Sequence, residues 1–297
     1  MKDQVSKRYL WVTVFNVIIT AAEIAGGIIS GSLALLSDAL HNLSDVVSIV
    51  VAFAANLIAK RSKDQHKTFG YKRAETLAAY TNGLFLLAIS IYLFISAIKR
   101  FSKPEPIEGG VMFIVSLIGL AGNLISMLIL GKGSKENLNA RALFLNMMSD
   151  TLSSVAVAVG SLLIYYQNWT LTLVDPVLTM AAAIFLLKEA FEVTRDSANV
   201  LMEANPDLDL EAIEEAGLAF KEVIQLHHLH VWRYSDDTIM LDAHIVVDSG
   251  LTAKRIEELD EEIAACLKEK FAINHVTLQA ECSRGLDEDL LSTNKEN

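Results

Sequence analysis

The sequence predicts an α-helical integral membrane protein with six transmembrane helices, followed by a C-terminal α+β ferredoxin-like domain of order αββαβ. Three observations carry that prediction. Apolar residues make up 52% of the 297 and the mean hydropathy is +0.37, which is too apolar for an ordinary soluble domain. Long apolar runs fill the first two-thirds of the chain and stop before Pro206. Residues 207–297 carry all of the excess negative charge behind the formal net charge of -11, whereas the preceding part is close to neutral. The change of character falls at "MEANPDLD", giving a membrane domain over 1–203, a soluble domain over 204–283 and a polar tail over 284–297 that is expected to be disordered.

Six runs approach the roughly 20 residues that a bilayer requires, at about 10 to 30, 34 to 59, 75 to 98, 110 to 131, 142 to 166 and 174 to 195. The first is a full span without a small-residue cleavage site, so it reads as a helix and not as a cleaved signal. An even number of spans puts both termini on one side. Lys2, Lys7 and Arg8, the cluster from Lys60 to Arg73, and Lys132, Lys135 and Arg141 all lie on that side. The positive-inside rule therefore makes it cytoplasmic. Only Lys99, Arg100 and Lys103 stand opposite, beside Glu105 and Glu108.

The soluble part reads as an acidic helix "LDLEAIEEAGLAF", a strand "EVIQLHHLHVWRY", an Asp-Asp turn, a strand "TIMLDAHIVV", a helix "AKRIEELDEEIAACLKEKF" and a strand "NHVTLQAE". About 75 residues make a small core that a partner chain would help to stabilise. Its acidity repels nucleic acid and attracts cations, so a nucleic-acid role is excluded. Cys266 and Cys282 lack the spacing of a disulfide framework or zinc knuckle and suit a reducing cytosol.

The chemistry-bearing residues lie inside the spans. In "LLSDALHNLSD", His41 and Asp45 are four apart and share a helix face. "NMMSD" in the fifth span repeats that spacing with Asn146 and Asp150. If the two helices touch, an imidazole, an amide oxygen and two carboxylates converge into a plausible tetrahedral site for a divalent metal. An unpaired carboxylate at mid-membrane costs on the order of 2.5–3.5 kcal/mol, so two of them imply a cavity, a partner or a ligand. Asp38 flanks this site, and Asn16, Glu23 and Asn123 read as cavity lining or interhelical hydrogen-bonding groups.

Taken in order, "GSLALLSDALHNLSD", "FGYKRAETLAA", "DPVLTMAAAIFLL", "LMEANP", "HHLHVW" and "HVTLQAE" resemble the cation diffusion facilitators. The resemblance implies a homodimer in the lipid bilayer, multi-pass in a bacterial cytoplasmic (inner) membrane, that exports divalent metal in exchange for protons and is not an enzyme. It places the transport site at His41, Asp45, Asn146 and Asp150. Zinc is the foremost expected cargo, with cobalt, cadmium or iron next. Asn146 stands where zinc-selective relatives carry His or Asp, so a manganese- or iron-selective exporter is the alternative, an amide oxygen being harder than imidazole. A membrane-anchored cytosolic metal sensor is the alternative of a different class, but an anchor gains nothing from buried carboxylates. An intramembrane metalloprotease would need a motif such as HExxH, which the sequence lacks.

The resemblance also implies a regulatory site in the soluble domain at His227, His244 and Glu281, with His275 as a further ligand and Gln279 where some relatives have His. Strand alternation puts His228 and His230 on one face with Trp232 and His227 on the other, so His227 would need a strand-end position to reach metal. In the loop between the second and third spans Tyr71 replaces a histidine of relatives that bind a further metal through residues like Asp64 and His66, so that site is expected absent or weak. Arg73 and Glu203 match positions that form an interlocking salt bridge between protomers.

Overall fold

A computed structural model describes residues 2–131, 138–166, 173–286 and 289–291, with side chains from residue 14 onward apart from 15, 129–143 and 146. Six long helices stand where the sequence predicts six spans: α1 (Lys2–Ser30), α2 (Leu33–Ala59), α3 (Arg73–Ser102), α4 (Gly109–Gly131), α5 (Leu138–Tyr166) and α6 (Val174–Leu201). Breaks fall where the chain cannot continue a helix. Gly31 adopts a φ of 70° between α1 and α2, and Pro104 and Pro106 separate α3 from α4.

The polarity of these helices is inverted relative to a soluble bundle. Phe53, Ile114 and Leu152 are exposed, whereas Glu23, Asp38, Asn42, Asn123 and Asp150 are buried. Apolar residues outside and polar residues inside is the arrangement that lipid selects. Among the described residues, α2, α3, α4 and α5 contain stretches long and apolar enough to cross a membrane. The apolar part of α1 within that range is the shorter Asn16–Ser30, and α6 carries Asp175, Lys188, Glu189 and Glu192.

The chain divides into two compact units, one of Met1–Ala55 with Ala78–Thr194 and one of Asn56–Leu77 with Arg195–Asn297. In the first, α1 and α4 approach closely through glycines. A Cβ on Gly26 would lie 2.6 Å from Val115, and one on Gly119 would collide with the Glu23 carboxylate, so small residues set the helix spacing. The start of α2 is held by Asp175 of α6. Its Oδ1 accepts from Ser32 Oγ at 2.5 Å and from Ala34 N at 3.1 Å, and its Oδ2 accepts from Leu33 N at 3.1 Å. Arg100 donates to Gly31 O at 2.7 Å and pairs with Glu105 at 2.9 Å. That cation, one of three on the side expected to be poor in positive charge, is thus neutralised within the fold.

In the second unit, α7 (Leu210–Leu218) is capped by Asp209, whose carboxylate accepts from Glu211 N and Ala212 N. It precedes β1 (Val223–Ser235), β2 (Thr238–Val247), α8 (Ala253–Phe271) and β3 (His275–Glu281). The sheet order is β1-β2-β3, with β1 and β2 antiparallel and β2 and β3 parallel across the α8 crossover. Ile213, Leu226, Leu241, Ile245, Leu259 and Ile263 are its buried centre.

Arg73 and Glu203, the residues that the resemblance assigns to a lock between protomers, close a 2.8 Å ion pair within one chain. Both belong to this unit, and Arg73 also lies over the Tyr234 ring at 5.5 Å.

The tail differs from a wholly disordered segment. Gly285 turns at φ 76° against the His227 ring, Leu229 N donates to Leu290 O at 2.9 Å, and Leu290 packs on the core. The physical reason is that "GLDEDLL" contains a turn-forming glycine and leucines able to bury apolar surface, which a reading by net polarity overlooks. Residues 287–288 and 292–297 of that tail lie outside the described residues.

Candidate metal centres

In the membrane domain, α2 and α5 bring His41, Asp45 and Asp150 together, each with a ligand atom within 4.8 Å of the others. His41 Nε2 stands 3.2 Å from Asp150 Oδ1, close to the ligand–ligand edge of about 3.3 Å that metal–nitrogen and metal–oxygen bonds of ~2.0 Å produce in a tetrahedron. The geometry follows from helix periodicity, because the i, i+4 spacing of His41 and Asp45 directs both toward the helix that carries Asp150. Among the described residues, His41 Nδ1 is buried without a hydrogen-bond partner. Asn146 occupies the turn of α5 before Asp150, but its side chain lies outside those described.

A cavity of 310 Å³ opens on this cluster, lined by Asp38, His41, Ser149, Asp150, Ser153 and Phe185 among others. Asp38 is braced beside it, since Ser153 and Ser154 donate to its two oxygens at 3.0 and 3.2 Å. Asn123 donates to Ser154 at 2.9 Å, and Asn42 donates to Glu23 at 2.9 Å. These hydrogen bonds satisfy polar groups that lipid cannot solvate and hold the ligand helices in register. Ser153, Ser154 and Asp175 escaped the sequence reading. The i, i+3 and i, i+4 offsets of the serines from Asp150, and the Asp-Pro at the start of α6, were the available signals.

The second cluster lies at the sheet. His227 of β1 is the cross-strand partner of His244 of β2, and Glu281 closes β3 beside them. Glu281 Oε2 lies 3.6 Å from His227 Nε2 and Oε1 lies 3.5 Å from His244 Nδ1. All three offer ligand atoms within 4.8 Å of one another.

Simple alternation is corrected here. The register shifts between His227 and His230, and His228 adopts a left-handed φ of 52°. This β-bulge rotates His227 inward from the middle of the strand, so no strand-end position is needed. His275 is not brought into the cluster. It pairs with Met240 while His244 pairs with Gln279, a separation of four residues, or roughly 13 Å along a strand.

Burial pushes the Glu281 carboxyl up, but the hydrogen bond from Gln279 and the neighbouring Arg284, His244 and His227 outweigh it and hold its pKa below the ordinary value. An ionised carboxylate beside two imidazoles suits zinc, cobalt and related divalent ions.

The loop between α2 and α3 is built differently. Asp64 accepts from Tyr71 Oη at 2.6 Å and from the backbone of His66 and Lys67, each at 2.8 Å. The Tyr71 hydroxyl, followed by those two N–H groups, lowers the Asp64 pKa. Both carboxylate oxygens thus serve to fold the loop.

The family model "Cation efflux transmembrane domain" matches residues 10–202, and "Cation efflux protein, cytoplasmic domain" matches residues 205–283. The chain is similar to the metal cation efflux system protein CzcD of Cupriavidus metallidurans, at 39% identity over 88% of this chain and 81% of the relative. It is similar to a cadmium, cobalt and zinc/H(+)-K(+) antiporter of Bacillus subtilis, at 39% over 87% of this chain and 83% of the relative. The zinc transporter ZitB of Escherichia coli is 34% identical over 94% and 88% of the two chains.

Proposed function

From the premise that this chain belongs to the cation efflux family, a family of transporters and not of enzymes, we propose that it exports zinc in exchange for protons. Cobalt, cadmium and iron are further cargoes. The observation that carries the reading is the convergence of His41, Asp45 and Asp150 beside a cavity in the membrane domain. The sequence places Asn146 as the fourth ligand. The similar proteins described as zinc transporter and as cadmium, cobalt and zinc antiporter support the cargo class.

Proton coupling follows from the donor set. Metal requires a neutral imidazole and ionised carboxylates, so protons taken up by His41, Asp45 and Asp150 exclude the ion and drive its release. Asn146 carries no proton and leaves that work to the other three. Alternating access then amounts to tilting helices around a fixed site.

The functional unit is a homodimer in a bacterial inner membrane with both termini cytoplasmic. Its parts are a transport domain over 1–203 and a metal-binding, dimerising domain over 204–283. His227, His244 and Glu281 bind a regulatory divalent ion that stiffens the cytoplasmic domain. Asn146 favours the second reading, a manganese- or iron-selective exporter, because an amide oxygen is harder than the imidazole it replaces.

The test is flux in proteoliposomes with zinc, cobalt, iron, manganese and cadmium side by side, with and without a pH gradient. Zinc flux that rises with the gradient is expected. Flux indifferent to the gradient rejects the antiport, and preference for manganese selects the second reading.

A further inference from the structure

The bulge that turns His227 inward does something else to its neighbours. His228 and His230 are two residues apart on β1 and present their rings on the outer face, with centroids 4.6 Å apart and planes at 83°. Their Nε2 atoms lie 3.3 Å from each other. That is long for an N–H···N hydrogen bond, but it is the edge of a tetrahedron around a metal with nitrogen bonds of about 2.0–2.1 Å, which comes to ~3.3–3.4 Å.

The pair is accessible, His230 being exposed and His228 half-buried. The backbone pays a conformational cost to make it, because a left-handed φ at a residue with a Cβ is rare within a strand and such outliers cluster where a side chain has to be aimed. Asp242 stands opposite His230 in the β1–β2 register, placing a carboxylate-bearing residue on the adjacent strand.

We propose that His228 and His230 form a second cytoplasmic metal site, open to solvent and distinct from the buried cluster of His227, His244 and Glu281. Its ligand is a divalent cation of borderline softness, such as Zn2+, Co2+, Ni2+ or Cu2+, for which imidazole is the suited donor. Among the described residues, the pair is not part of any group of three His, Cys, Asp or Glu with mutually close ligand atoms. The site therefore supplies two protein ligands and leaves the remaining positions to water or an exchangeable small ligand, in contrast to the three-ligand cluster beside it.

The two sites adjoin. The His228 ring lies 4.6 Å from that of His244, tilted by 31°, and His244 in turn lies 5.2 Å from His227. Four imidazoles thus run without interruption from the surface to the buried carboxylate, and the negative charge of the domain draws cations toward the outer pair.

The experiment uses the full chain in detergent with the other metal sites removed by Asp45→Asn, Asp150→Asn, His227→Ala and Glu281→Gln. The probe is the Cu2+ complex of nitrilotriacetate, whose occupied chelate positions leave room for two imidazoles. Electron paramagnetic resonance reads the copper and its nitrogen ligands.

One bound complex per chain with two imidazole nitrogens is expected, and His230→Gln in that background should abolish it. His230 is exposed, so its loss does not threaten folding. His228→Gly keeps the bulge backbone without the imidazole, and it should also abolish the signal while raising the melting temperature by relieving the left-handed strain.

Binding that survives both substitutions overturns the proposal, as does no uptake by the parent chain. Because two of the three ligands of each other cluster are already replaced, failure of the transport reading leaves this result unaffected.

Discussion

The two three-ligand clusters are built from similar donors by unlike means. His41, Asp45 and Asp150 combine one imidazole with two carboxylates across two helices. His227, His244 and Glu281 combine two imidazoles with one carboxylate across three strands. The first faces a cavity within helices that a tilt can open, whereas the second is fastened into a hydrogen-bonded sheet beneath Gly285. Helix packing can switch between arrangements at modest cost, but a sheet register cannot. On the proposed reading, the first cluster holds the transported ion and the second a resident one.

The largest expected effect separates these roles. Asp45→Ala or Asp150→Ala should reduce metal flux in proteoliposomes to background while the protein still inserts and elutes as a monodisperse species. His227→Ala should leave flux present and shift the metal concentration for half-maximal rate by a factor on the order of 5 to 150, the range of an allosteric coupling. Equal loss of flux from both changes would dissolve the distinction.

Next in size is selectivity. Asn146→His should move preference from manganese toward zinc, read from competitive flux with the two ions, and an unchanged profile removes Asn146 from the ligand set. A smaller effect concerns the scaffold. Asp175→Asn weakens the hold on the start of α2 and should cost about 1–3 kcal/mol, measured by chemical denaturation in detergent.

The smallest effect is expected at the exposed Arg73–Glu203 pair, about 0–1 kcal/mol for either single change. If the pair matters, the double swap Arg73→Glu with Glu203→Arg recovers what either change loses. A double mutant no better than the singles removes that role.

The same contrast explains what the sequence discloses. Helix periodicity made His41, Asp45 and Asp150 legible, because a spacing of four fixes a shared face with no knowledge of the rest of the fold. The αββαβ order was legible from patterning and turn residues, with β2 and α8 falling where the residue pattern placed them. The bulge was not legible. Nothing in "QLHHLHVW" announces that His228 will take a left-handed conformation, since the shift of register depends on how β1 meets β2. Likewise the burial of Leu290 depends on a core assembled from distant segments.

Asp175 has a mechanical consequence. A carboxylate from the first turn of α6 grips Ser32 and the first two backbone N–H groups of α2, and Arg100 at the end of α3 braces the adjoining Gly31 carbonyl. The helix that supplies His41 and Asp45 is therefore tethered at one end, like a lever pinned at its fulcrum. If α2 tilts in the proposed transport cycle, its displacement grows with distance from this clamp, so Asp45 would sweep a longer arc than His41.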